Sequence, residues 1–257
     1  MPLATFRQSG QLGEIVIDSP PLNLFSTDLL ADLRAAVDRA AESDMRALLL
    51  RAEGTDFSAG AEVSVFMGLD EAQAVELSST VLSLIGAIED LPFPTLALIH
   101  GQCYAGALET CLACDLIWAG EGSQIGQIEA IAGGITYAGG TQRIASRIGA
   151  ARAAEMVFTA AILPPETLAS WGLINRVIAP DSLVGEGRAY AQALARGPTL
   201  AHATTKRMLR AWRSGGVAAA DRVAHAEGPA VMLSQDTQEG IASLKRYGPG
   251  HANFNNR

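Results

Sequence analysis

Thr95-Leu-Ala-Leu-Ile99, then His100-Gly101-Gln-Cys-Tyr-Ala-Gly-Ala-Leu-Glu109, then Thr110-Cys-Leu-Ala-Cys-Asp115, is the stretch on which the fold turns. Five apolar-compatible residues between Pro94 and Gly101 read as a buried strand. Gly106 to Cys114 suits a helix, and small residues at the joint let strand and helix meet closely. A strand running directly into a helix is the opening of an α/β arrangement.

Working outward, the same alternation recurs. Downstream, Leu116-Ile-Trp-Ala119 reads as a strand, Gly140 to Ile148 and Ala151 to Thr159 as helices, Pro165 to Trp171 as a short helix and Ile174-Asn-Arg-Val-Ile178 as a strand. Upstream, Thr5-Phe-Arg7 and Ile15-Val-Ile-Asp18 flank Ser9-Gly10 as a hairpin, and Ala47-Leu-Leu-Leu-Arg51 is a short apolar strand. Between them, Ser26 or Thr27 can cap a helix whose apolar face is Leu29, Leu30, Leu33, Ala36, Val37 and Ala40. Asp70 to Leu91 reads as a long helix stopped by Pro92 and Pro94. Beyond Ser182 nearly everything is helical, over about 183–196, 199–213 and 217–245. Strands alternate with helices first and helices close the chain, which predicts an α/β core with a helical C-terminal region.

The 257 residues contain no Ser/Gly or Pro linker, charge block or repeat of fixed period, so one domain is expected. Residues 1–195 are taken as its core with the active site, and 196–257 as a C-terminal helical region of the same domain. A net charge of −8 argues against a nucleic-acid partner. No apolar run approaches the roughly 18 residues of a membrane span, and the first residues lack the pattern of a signal peptide. Three cysteines within twelve residues make no disulfide framework, so a cytoplasmic setting is expected.

Glu109 and Glu129 carry the chemistry. Each lies among small residues, Glu129 in Ile125-Gly-Gln-Ile-Glu129 with Gly133-Gly134 and Gly139-Gly140 following. A carboxylate beside Cβ-poor backbone can approach a substrate closely, and exposed amides there can grip a developing negative charge. Gly106, where a helix begins, has an unpaired first-turn N–H and a favourable dipole. Glu109 follows three residues later, so acid and donor share one rigid element. Two close carboxylates resist double ionisation, and one raised pKa is expected of the pair. The bland alternatives are a tight turn at Gly106, a solvated first-turn acid at 109 and a loop acid at 129.

Six segments change that balance. Pro20-Pro-Leu-Asn23, Phe57-Ser-Ala-Gly-Ala-Glu62, Gly101 to Asp115, Ile125 to Glu129, Ala138-Gly-Gly-Thr-Gln-Arg143 and Trp171-Gly-Leu-Ile-Asn-Arg-Val177 together resemble the crotonase, or enoyl-CoA hydratase/isomerase, family, in its order and close to its spacings. The resemblance covers roughly residues 10–257. It implies a crotonase-like spiral of ββα units with a helical C-terminal region, assembled as a homotrimer or dimer of trimers. It implies an acyl-CoA thioester substrate and no cofactor, coenzyme A being part of the substrate; no metal is expected. It places the oxyanion-hole amides at Ala61 and Gly106, the two glutamates that hold a water at Glu109 and Glu129, and further substrate contacts at Ala59, Gly60 and Tyr137. Isomerases of the family generally keep the acid at 129 and replace the one at 109, so carrying both points to an enoyl-CoA hydratase. An isomerase, other enolate chemistry, or a non-catalytic acyl-CoA-binding homologue are the alternatives.

The chain also departs from the pattern. Thr136-Tyr137 stands where many hydratases read Pro-Gly, so the ring either enters the pocket or faces a neighbouring helix. Ala105 and Ala107 flank Gly106 where glycine is common. Ser64 occupies a position often basic, which leaves the coenzyme A phosphate contacts open. Cys111-x-x-Cys114, without a second pair, is read as packing, Asp115 as a structural acid, and Arg143 as an organiser of its surroundings.

Overall fold

The computed structural model describes residues 1–255; Asn256 and Arg257, the end of the expected helical region, lie outside the described residues. Its centre is a six-stranded sheet ordered β1 (Ala4–Ser9), β2 (Leu12–Ile17), β3 (Ala47–Ala52), β4 (Thr95–Ile99), β6 (Leu116–Gly120), β9 (Arg176–Ile178). Only the β1–β2 hairpin is antiparallel. Both faces of β3 and β4 are covered, so these strands are buried at every position and read as apolar runs interrupted only by Arg51 and Thr95. Leu48 and Leu50 face a core shared with α1 (Thr27–Glu42), α2 (Glu71–Asp90) and α3 (Gly106–Leu112). Ala47 and Leu49 face a second core closed by α7 (Pro180–Ala195).

The helices follow local chemistry. Ser26 caps α1 by accepting from the Leu29 amide, and the buried face is the six apolar residues the 3.6-residue period marks. Asp70 and Gln73 form a reciprocal capping box at the start of α2. The chain then continues through α4 (Gly140–Ile148), α5 (Ala150–Thr159) and α6 (Pro165–Trp171). α8 (Thr199–Leu233) is broken at Gly215–Gly216, in the gap expected between two helices. The apolar stripe after residue 217 predicted one helix to about 245. Instead, Ser234 turns the chain to an extended conformation and caps a new helix, α9 (Gln235–Tyr247), through the Thr237 amide.

Sequence reading also passed over a second layer. β5 (Gln102–Tyr104), β7 (Gln124–Gly126) and β8 (Ile162–Leu163) form a three-stranded sheet in that order, with β5 and β7 parallel. Each turn of the spiral puts one strand in each sheet: β4, β5, then α3; β6, β7, then a 3-10 turn at Glu129–Ala132 and α4. Isolated bridges extend the small layer, Ser58 beside Cys103 and Phe25 beside Ala61.

Candidate active site

Tyr104 and Gly126 are opposite each other at the ends of β5 and β7, and the Ala105 amide donates to the Gly126 carbonyl at 3.0 Å. The two chains therefore leave the small sheet side by side. One enters α3 and carries Glu109; the other enters the 3-10 turn that starts at Glu129. The turn into α3 requires Ala105 to take φ 51° and ψ −126°, a conformation that costs a residue with a side chain roughly 1–3 kcal/mol. Arg147 holds the other end of α3, donating to the Cys114 carbonyl at 2.5 Å and the Leu112 carbonyl at 3.3 Å.

Phe57 to Glu62 supplies the opposite side. The Phe25 amide donates to the Gly60 carbonyl and the Glu62 amide donates to Phe25, so the Ala61 amide between them is left over. Gly60, at φ +102°, passes so close to Tyr104 that a Cβ would lie 3.2 Å from its carbonyl oxygen. Among the described residues the amides of Ala61 and Gly106 have no internal acceptor, and both residues line a cavity of about 640 Å³. Ala59, Glu109, Glu129 and Tyr137 line it as well. Gly60 does not; it lies behind the wall and lets the two loops approach.

Glu109 is 2 % exposed, not the solvated acid a first helical turn usually holds. Burial pushes its pKa up, while backbone donors oppose the shift, foremost the Gly140 amide at 2.7 Å, with Ala138 and Gly139 adding to it. A Cβ on Gly140 would meet the end of the Gln127 side-chain amide at 2.6 Å and Glu109 Cγ at 3.1 Å, so only glycine lets this amide reach the carboxylate. Glu129 is pushed up to about 7, mainly by burial; its own amide opposes the shift and the charge of Glu109 adds to it. Both acids are thus raised rather than one, and desolvation outweighs their mutual repulsion.

Sequence reading missed Gln127. It is wholly buried, and with its amide turned to donate, Nε2 lies 2.8 and 3.0 Å from the two Glu129 carboxylate oxygens. A lone amide side chain in the otherwise apolar run Ile125 to Ile128 was the available signal, since buried polar groups require partners. Arg143 organises the neighbouring loop: it donates to the Ala138 and Gly139 carbonyls at 3.3 and 3.2 Å and pairs with Glu89 at 2.7 Å. Asp115 accepts from the Thr95 amide and from Lys206, both at 2.9 Å. Cys111 and Cys114 are free and buried. Ser64 donates to Glu62 at 2.7 Å. Tyr137 enters the cavity wall and stacks on Phe66, ring centroids 5.4 Å apart.

Ala59, Ala61, Gly106, Glu109, Glu129 and Tyr137 thus line one cavity, and known proteins resemble the chain that builds it. The enoyl-CoA hydratase/isomerase family description matches residues 7–247. An enoyl-CoA isomerase/hydratase, fer4, of Mycosarcoma maydis is 37 % identical over 179 residues, 65 % of this chain and 65 % of that protein. The mitochondrial methylglutaconyl-CoA hydratase of Mus musculus is 35 % identical over 176 residues, 67 % of this chain and 55 % of that protein. The matched regions thus span about 55–65 % of the length of these two relatives. In fold, a solved enoyl-CoA hydratase from Bacillus anthracis superposes with a TM-score of 0.92 at 24 % identity, covering 99 % of this chain and 100 % of that one. Among the described residues no helix is long and apolar enough to cross a membrane.

Proposed function

The chain belongs to the enoyl-CoA hydratase/isomerase family, and on that premise we propose that it is a hydratase, adding water reversibly across the C2–C3 double bond of a trans-2-enoyl-CoA thioester. The observation that carries this reading is one cavity wall bearing two carboxyl groups and two unengaged amides. Glu109, surrounded by backbone donors that favour its ionised form, is the base. It takes a proton from water as the oxygen bonds to C3, and the C2–C3 π electrons shift to the thioester oxygen. The amides of Ala61 and Gly106 stabilise that enolate; a single such donor is typically worth about 100- to 1,000-fold in rate. Glu129, with a pKa of about 7, is protonated often enough at neutral pH to deliver a proton to C2. The proton gained by Glu109 and the one lost by Glu129 are re-equilibrated through solvent after product leaves. The substrate brings its own coenzyme A, so the scheme uses no further cofactor.

Isomerisation needs one proton carrier, and the second acid within the same cavity favours hydration over it. Mass spectrometry of crotonyl-CoA incubated with the protein tests the reading: hydration yields a product heavier by one water. An unchanged mass with a migrated double bond would replace it by isomerisation, and an unchanged substrate would favour a binding protein. The free, buried cysteines suit a cytoplasmic setting. Assembly as a homotrimer or dimer of trimers is supported by exposed Trp212, Met232, Leu233 and Ile241 on the C-terminal helices. Sedimentation equilibrium giving neither three nor six chains would reject it.

A further inference from the structure

The cavity extends well beyond the two acids. α2 forms one wall with Ala74, Leu77, Ser78, Val81, Leu84 and Ile85, a single stripe at helical spacing that runs for about 16 Å at 1.5 Å per residue. That is several times the reach of a four-carbon acyl group. The inner end is closed by buried Phe25, Leu84 and Ile85. The outer end is an apolar mouth where Val63, Met67 and Ile131 are each at least 70 % exposed. Such side chains remain in water unless hydrocarbon covers them. Across this mouth Phe66, from the turn preceding α2, stacks on Tyr137, from the loop preceding α4, and both rings line the cavity.

Charge is as informative as shape. Among the described residues that line the cavity, Glu109 and Glu129 are the charged ones, and no lysine, arginine or histidine faces it. An acyl group with a distal carboxylate, such as the relative's methylglutaconyl group, would bury that charge without a counter-ion and beside two other acids.

Resting on the hydratase reading, we infer that the acyl group this site takes is a long, uncharged hydrocarbon chain, laid along α2 and held at the mouth by the Phe66–Tyr137 pair. Tyr137, one of this chain's departures from the family pattern, is thereby a specificity-determining residue. Apolar burial grows with every methylene, so a chain that follows the stripe gains affinity steadily.

Initial-rate kinetics on crotonyl-CoA, trans-2-dodecenoyl-CoA and 3-methylglutaconyl-CoA test this, together with calorimetric binding of the saturated butyryl- and dodecanoyl-CoA. Dodecenoyl-CoA should exceed crotonyl-CoA at least about tenfold in kcat/KM, and dodecanoyl-CoA should bind at least about tenfold tighter than butyryl-CoA. Methylglutaconyl-CoA should fall about 100-fold or more below dodecenoyl-CoA. Replacing the exposed Phe66 (F66A) should cut the dodecenoyl-to-crotonyl ratio about tenfold, mostly through KM. Equal rates on both chain lengths, or good turnover of the dicarboxylic ester, would overturn the inference and leave hydration standing. No turnover of any ester, with tight dodecanoyl-CoA binding retained, would instead remove the hydratase reading while supporting the acyl class. A ratio untouched by F66A would remove the aromatic pair from the account.

Discussion

The two sheets divide the work of the molecule. The six-stranded sheet buries both faces of its central strands, and none of its strands contributes a residue to the cavity wall. The three-stranded sheet has strands of three, three and two residues, yet the chain leaving β5 carries Glu109 and the chain leaving β7 carries Glu129. Strands this short are weak alone. β5 and β7 keep their register because each follows directly on a strand of the large sheet, β4 before β5 and β6 before β7, whereas β8 follows α5 and pairs with β7. On the hydratase reading, stability is concentrated in one layer and chemistry at the exits of the other, so mutations in each should have opposite signatures.

The sharpest contrast is between the acids and the large sheet. Glu109→Gln or Glu129→Gln should each lower hydration about 100- to 10,000-fold with acyl-CoA binding largely kept and the melting temperature unchanged or raised. Leu49→Ala, in β3, should cost about 2–5 kcal/mol of stability and leave kcat of the folded fraction nearly intact. An acid variant that turns over normally, or a Leu49 variant that kills kcat without loss of stability, would blur the division.

Gly140→Ala, at the start of α4, should show the site's intolerance of a single methyl group. Its Cβ must displace Gln127 or Glu109, and misplacing a reacting group by about 1 Å can cost about 100-fold in rate. Kinetics beside a thermal melt would expose the alternative, a loss explained wholly by unfolding.

Titration of Glu129 gives a smaller effect of defined sign. Its acid form is lost as pH rises through about 7, so kcat/KM for hydration should fall about tenfold per unit once pH is well above that value. Stability follows the same proton: the folded state retains it between the ordinary carboxyl value and about 7, whereas the unfolded chain releases it. Stability should therefore decline as pH rises across that window, and Glu129→Gln should flatten the decline. A decline of equal slope in the variant would assign it elsewhere.

Smallest is the relief of strain at the joint. Ala105→Gly removes a Cβ from φ 51° and should stabilise the protein by up to about 1 kcal/mol, or roughly 2–4 °C, with catalysis little changed. A destabilised variant would show that the alanine side chain contributes packing that outweighs its backbone cost.

Much of the large sheet was legible because burial on two faces writes itself as uninterrupted apolar runs, as at Ala47 to Leu50 and Thr95 to Ile99. The face of α1 was legible because one-sided burial leaves a 3.6-residue period. β5, β7 and β8 span too few residues to show any period, and their pairing depends on partners distant in sequence. The boundary at Ser234 was hidden by an apolar stripe that continues across it. Within the site, positions 106, 109 and 129 stood out through their small neighbours and 61 only through the family resemblance of Phe57 to Glu62, whereas Gln127 carries meaning only once its burial and its partner are known. Tyr137 was visible as a departure, and its direction came from the stacking on Phe66.

On the hydratase reading, Glu109 and Glu129 act on one water in one step. Residues that act as a unit are non-additive when removed. Hydration by E109Q, E129Q and the double variant, measured on one trans-2-enoyl-CoA with protein of matched fold, reads this directly. The double variant should be about as slow as the slower single variant; a loss equal to the product of the two single losses would contradict action as a unit.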